Sequence, residues 1–214
     1  MIKSLFVMTL SSVLPVHALN PPPPVEAPPK IVKTWKCPDC SPEEKFVLAQ
    51  LQKHTMISDR NALATILGNI KQESNFTPNI CEGGARVEYQ DCHVGGYGLI
   101  QWTSESRYVG LGIFSARYGL NPSTFDAQLR YMSNEYQFQR ALLDWQIPGR
   151  TYEEYHAAAY RWLGWGVEGP RKTYTYNYLD RLSKVSDEKV QSTSSDQKRL
   201  GYLEKILGVI GIKV

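Results

Sequence analysis

The sequence predicts a mainly α domain of α+β type, with a small β element set beside a cleft. Three observations carry this. Two capping boxes, Ser41-Pro42-Glu43-Glu44 and Thr151-x-x-Glu154, mark helix starts, because in each box the two side chains satisfy orphan backbone N–H groups. Apolar residues recur three and four apart in ALATILGNIKQES, residues 62–74. Between the second and third helical stretches, residues 79–103 crowd glycines and lose that period. Helix-rich lobes flanking a small sheet leave a groove between them.

Taken in order, the chain opens with MIKSLFVMTLSSVLPVHA. Lys3 supplies a positive start, Leu5 to Val16 an apolar run, and Val16-His17-Ala18 a small-residue cleavage site. This pattern predicts an export signal over residues 1–18. Its apolar run of about 12 residues is too short for the roughly 20 that span a bilayer, so no stable span is expected once it is removed. Residues 19–40 read as a proline-rich spacer ending in the CxxC of Cys37 and Cys40. A domain is expected over residues 41–184, with ordered structure starting near Ser41. Its first helix carries Phe46, Val47, Leu48 and Leu51 inward, and Ser58 opens the second, which Asn75 and Pro78 stop.

Residues 86–90 and 97–102 are expected to form short strands. Helical stretches follow at FDAQLRYMSNEY, at EEYHAAAYRWLG closed by Gly164, and at RKTYTYNYLDRLSKV after Pro170. Residues 185–199 read as a polar linker. Residues 200–214 read as an apolar-rich helix whose partner the sequence does not name.

The chain has 214 residues with 42% hydrophobic content, enough for one core. Thirteen tyrosines and five tryptophans serve either burial or stacking on sugars and bases. A net charge of only +3 does not demand a nucleic-acid partner. No cofactor and no metal are expected. Four cysteines in an exported chain favour disulfides, and proximity in sequence favours Cys37–Cys40 and Cys81–Cys92. A zinc site built from the CxxC, the later cysteines and His93 is the weaker rival, since no second CxxC or spaced histidine pair supports it.

The residue that decides function is Glu73. Leu63, Ile66, Leu67 and Ile70 share one helical face, and Glu73 lies three residues further on, at the shoulder of that face. Partial burial disfavours a charged carboxylate, and the negative end of the helix dipole does the same. A carboxyl kept protonated is what a general acid requires. The plain alternative is a glutamate pointing to solvent or paired with Lys71 or Arg107.

Glu73-Ser74-Asn75-Phe76 followed by Gly98-Leu99-Ile100-Gln101-Trp102-Thr103 resembles the lysozyme-like superfamily, whose lytic transglycosylases carry E-S-x-F and then G-L-[MI]-Q. The fit is closest to the bacteriophage tail-lysozyme family. Four blocks occur in that family's order: ALATILGNIKQESNFTP, GYGLIQWTSESRYVGL, AQLRYMSNEY and Gly166-Val167-Glu168-Gly169-Pro170. The resemblance implies a lysozyme-like helical domain that cuts peptidoglycan at the β-1,4 bond between N-acetylmuramic acid and N-acetylglucosamine, with Glu73 as catalytic acid. Gly98 to Gln101 would edge the sugar groove, Gln101 would hydrogen-bond near the reacting ring, and Tyr97 and Trp102 would stack on sugars. Gln128, Glu135 and Glu168 read as scaffold.

A second carboxylate has three candidates, Glu82, Glu88 and Asp91. Asp91 and Glu88 rank first, being nearer the GYGLIQW block and tethered by Cys92. Hydrolysis is preferred to lytic transglycosylation, because the A-Y-N-x-G motif of transglycosylases has only a partial echo in Ala159-Tyr160-Arg161-Trp162. Two other classes compete. One is a non-catalytic peptidoglycan-binding module. The other is a cysteine peptidase using Cys81 or Cys92 with His93 or His156. A lysin sent to the periplasm, an enzyme of a phage particle and a secreted wall hydrolase all fit the address.

Overall fold

Helix α2 (Arg60–Ser74) is the axis of the structure, a computed structural model that describes residues 35–185. Ala62 through Ile70 are buried on every side of it, as expected of a helix enclosed by its neighbours rather than laid on a surface. Around it stand α1 (Pro42–Thr55), α3 (Glu105–Tyr118), α4 (Phe125–Asn134), α5 (Tyr136–Trp145), α6 (Tyr152–Leu163) and α7 (Arg171–Arg181). The α2–α7 contact is the most extensive, followed by α5–α6 and α2–α6. Gly68 makes the first of these possible. A Cβ there would lie 2.6 Å from Thr175 Oγ1 and 2.7 Å from the Thr175 amide nitrogen, so the two backbones close only over a hydrogen.

The mainly helical class holds, and both capping boxes form at Ser41 and Thr151. Several details differ from expectation. The second helix is capped by Asp59 rather than Ser58. Its carboxylate accepts the N–H groups of Asn61 at 2.7 Å and Ala62 at 3.1 Å, and its other oxygen takes the Gly149 N–H. Phe46 is 40% exposed, one step of the helix away from the buried Val47, Leu48 and Leu51, and leans edge-on against Phe125. Two helices escaped the sequence reading. Gly110 and Gly112 mask α3, although both are there for packing: a Cβ on Gly112 would sit 2.7 Å from the Tyr89 hydroxyl oxygen, and one on Gly110 would strike that of Tyr131. Helix α5 was not expected at all; the stretch read as FDAQLRYMSNEY ends two residues earlier, because Glu135 takes an extended conformation (φ −72°, ψ 148°) and separates α4 from α5.

The expected strands at 86–90 and 97–102 do not form. Residues 79–103 hold only isolated bridges, Ile80 to Arg86, Cys81 to Tyr97 and Tyr97 to Trp102, with a 3₁₀ turn at Tyr89–Asp91. Gly83, Gly84, Gly95 and Gly98 all take positive φ, so the chain turns too often for a ladder to build. The two-stranded antiparallel sheet lies elsewhere, pairing β1 (Trp35–Lys36) with β2 (Ser183–Lys184).

Ordered structure also starts before Ser41. The Trp35 indole N–H donates to the Ser58 carbonyl at 2.9 Å, and Gln52 bonds both backbone groups of Trp35. Both favoured disulfides are formed. The expected export signal, residues 19–34 of the spacer and the segment 186–214 lie outside the described residues. Within them, no helix is long and apolar enough to cross a membrane.

Much of the aromatic content is core. Phe138, Trp145 and Trp162 pack with ring centroids 5.2 to 5.4 Å apart, and Tyr155 and Tyr178 are buried with them. Edge-to-face packing of this kind adds to the stabilisation from burial alone.

Candidate active site

Helix α2 ends in a way that fixes Glu73. Asn75 (φ 50°) and Phe76 (φ 58°) both enter the left-handed region, so the chain leaves the helix abruptly one residue beyond Ser74. Phe76 is buried, with its ring centroid 6.2 Å from that of Tyr178. The Ser74 hydroxyl donates to the Leu99 carbonyl at 2.8 Å. That bond joins the ESNF and GLIQW blocks in space, although 25 residues separate the two partners.

The second block is a tight loop closed by Tyr97 and Trp102. The Trp102 N–H donates to the Tyr97 carbonyl at 2.9 Å, and the Gln101 N–H to the Gly98 carbonyl at 3.1 Å. Gly98 takes φ +75°, and a Cβ there would lie 2.5 Å from Gln128 Oε1, which leaves the position to glycine. Gln128 is fully buried and organises the loop. It accepts the Leu99 N–H at 2.8 Å and donates to the carbonyls of Pro78 and Pro122 at 2.6 and 2.8 Å. Its scaffold reading stands.

Glu73 opens onto a groove of about 690 Å³ whose wall also includes Glu82, Gln101, Arg107, Trp165 and Arg171. The Glu73 side chain is 15% exposed, facing the groove and not open solvent. Its partner is neither Lys71 nor Arg107. Arg171 Nη2 donates to Glu73 Oε1. Burial pushes the Glu73 carboxyl above its ordinary value; the charge and hydrogen bond of Arg171, and then the charge of Arg107, pull the other way without cancelling it.

Other site residues named from the sequence fall differently. Gln101 lies on the groove wall, with its amide nitrogen donating to the carbonyls of Gly98 at 3.0 Å and Ile80 at 3.3 Å. Tyr97 and Trp102 are fully buried and cannot stack on a sugar. The Tyr97 hydroxyl donates to Ser123 Oγ at 2.8 Å, and the Trp102 indole to Glu135 at 3.2 Å.

Glu82 reaches the groove wall, whereas Glu88 and Asp91 are not part of it. Glu88 instead accepts from Asn121 on an exposed face, and Asp91 is exposed in the 3₁₀ turn. The expected ranking rested on distance along the chain to the GYGLIQW block. The Cys81–Cys92 disulfide removes that criterion, bringing the two Cα atoms to 5.6 Å. Glu82 then bonds Gly96 twice, by its N–H to the carbonyl and by its carboxylate to the Gly96 N–H, each at 2.8 Å. Gly95 leaves room for this: a Cβ there would overlap the Glu82 carboxylate.

Three groove residues had no place in the sequence reading of the site as binding or catalytic groups: Arg107, Trp165 and Arg171. The signal for Arg171 was its position next to Pro170, at the end of the fourth block. A glutamate at the shoulder of an apolar face also asks for a cation, and Lys71 and Arg107 were the wrong place to look. Arg107 is held as a fork by Glu135, with Nε to Oε2 at 2.9 Å and Nη2 to Oε1 at 2.6 Å. Glu135 also takes the Trp162 indole at 3.0 Å, so its scaffold role stands. Glu168 is less enclosed than expected: its side chain is about half exposed and meets His156 at 3.1 Å. All four cysteines are paired, so none offers the thiolate a cysteine peptidase needs.

A mainly helical domain that presents a largely buried glutamic acid from a helix end to an open groove belongs to the lysozyme-like class. The model of the phage tail lysozyme family matches residues 49–194, and the chain belongs to that family. Membership points to lysozyme-like degradation of peptidoglycan. No curated protein and no solved structure matches the chain.

Proposed function

We propose that the protein is a muramidase that hydrolyses the β-1,4 bond between N-acetylmuramic acid and N-acetylglucosamine, with Glu73 as general acid. The observation that carries this is a carboxyl whose burial raises its proton affinity while one side faces a groove. Glu73 donates its proton to the glycosidic oxygen as that bond breaks, and positive charge develops on the sugar ring. Glu82 best fits the second role of stabilising that charge or directing water, because it shares the groove and is held by the Gly96 N–H. Both amide hydrogens of Gln101 serve backbone carbonyls, which leaves its oxygen to accept from a sugar hydroxyl or acetamido N–H.

Two disulfides fit an oxidising compartment, and an exported or phage-borne enzyme meets its substrate there. An amino terminus at Leu19 in the mature protein would support export, and presence in purified particles would support a virion role.

Clearing of peptidoglycan suspensions tests the reading. Glu73→Gln is expected to slow clearing by at least about 100-fold. Equal clearing by both proteins, or by neither, sinks the acid role, and clearing by neither favours the binding module. Mass spectrometry of the fragments separates the two lytic chemistries. Hydrolysis leaves reducing ends, whereas transglycosylation leaves 1,6-anhydro ends lighter by one water.

A further inference from the structure

Arg171 begins α7 and is 3% exposed, a deep position for a guanidinium. Two faces of its surroundings account for it. On one, Nη1 donates to the carbonyls of Val167 (3.0 Å) and Glu168, and the guanidinium carbon lies 4.4 Å from the Trp165 ring centroid. On the other, Nη2 donates to Glu73 Oε1. Trp165, Arg171 and Glu73 all line the groove. The same side chain therefore ties the loop that ends α6 to the acid that ends α2.

We infer that Arg171 is a positioning residue: it holds one oxygen of the Glu73 carboxyl, leaves the other for the proton, and locks the Trp165–Glu168 segment of the groove wall to that geometry. The inference rests on Glu73 being the acid. A glutamate side chain has three free torsions, and Glu73 has no further helical turn to brace it. A planar fork anchored at its far end to backbone carbonyls supplies the brace, and a lysine, with donors radiating from one point, does not. A small misplacement of a reacting group costs about 100-fold in rate, which sets the scale of the effect. The guanidinium charge also opposes the rise that burial imposes on Glu73.

The test uses Arg171→Met, Arg171→Lys and Glu73→Gln in steady-state assays on soluble glycan fragments across pH. For Arg171→Met the expected result is a fall in kcat of about 10- to 100-fold with KM within about twofold. The alkaline limb should move to higher pH, since a general acid works protonated and the opposing charge is gone. Arg171→Lys should restore the limb without restoring kcat. A folded Arg171→Met enzyme with wild-type kcat and limb overturns the inference. If Glu73→Gln is inactive in the same series, the acid reading survives that result; if Glu73→Gln is fully active, the acid reading itself fails.

A readout on the wild-type enzyme covers the case in which Arg171→Met does not fold. A clamped guanidinium gives separate Nη resonances in ¹⁵N NMR, and these should shift with pH in step with the Glu73 carboxyl ¹³C signal. A single averaged Nη signal, blind to that titration, overturns the inference equally.

Discussion

Two glutamates, both largely buried and both beside arginines, end up on opposite sides of their ordinary value. Glu44 lies in the first turn of α1, where the helix dipole favours an anion, and Glu73 in the last turn of α2, where it does not. Glu44 accepts from the Ser41 N–H at 2.8 Å, the Tyr178 hydroxyl at 2.5 Å, Arg181 at 3.2 Å and Lys71 at 3.3 Å. Burial pushes it up, but Tyr178, the Ser41 N–H and the two cations together hold it below the usual carboxylate value. Glu73 has one direct donor and an open side, and burial wins. A carboxylate saturated with donors is a structural joint. One left short of donors beside a groove is available for chemistry.

Glu44 should matter most to stability. Glu44→Gln leaves Lys71 and Arg181 without their shared anion and should cost about 3 kcal/mol in urea unfolding, with activity per folded molecule kept. The pH dependence sharpens the contrast. Glu44, lowered in the folded state, contributes stability above its ordinary value of 4.5 that is lost as pH falls. Glu73, raised, is least costly when protonated below 4.5, and its contribution is lost as pH rises through its folded value. The stability gap between wild type and Glu44→Gln should therefore widen as pH rises from acid toward neutral. Glu73→Gln should gain on wild type over the same climb. Parallel stability curves for all three proteins would contradict both assignments.

Next in size is the partner of Glu73. Glu82→Gln should slow clearing by about 100-fold, while Glu88→Gln and Asp91→Asn stay within about twofold of wild type. Loss of activity in Asp91→Asn alone would restore the ranking by sequence proximity. The smallest effect separates the disulfides. Cys37–Cys40 lies on the Glu44 side, next to Asp39, which accepts from Arg181 Nε at 3.2 Å. Replacing both its cysteines by serine should cost about 2 kcal/mol in the loop-entropy model and leave kcat unchanged. A fall in kcat would show that the two sides of the molecule are coupled.

The sequence was most readable where one residue type does one physical job. Ser41 with Glu44, and Thr151 with Glu154, announce their helices because the reciprocal bonds are local. Glu73 stood out by being polar at an apolar shoulder. Helix α3 was hidden because its glycines serve tyrosines from elsewhere in the chain, Tyr89 and Tyr131. Tyr97 and Trp102 looked like sugar platforms because an aromatic residue beside a motif reads the same whether it faces in or out. Their polar tips have buried partners, Ser123 and Glu135, that no local pattern reveals. Arg171 was missed for a related reason, since its contact with Glu73 crosses 98 residues.

Gly68 sets how closely α2 and α7 approach. The helix that carries Glu73 near its end and the helix that begins with Arg171 touch through a position lacking any side chain. A single methyl added there, on the hidden flank of α2 and more than a turn before Glu73, would wedge α7 outward and carry the guanidinium with it. The spacing of the Glu73 carboxyl and the Arg171 guanidinium is thus gauged inside the core, where the two helices meet.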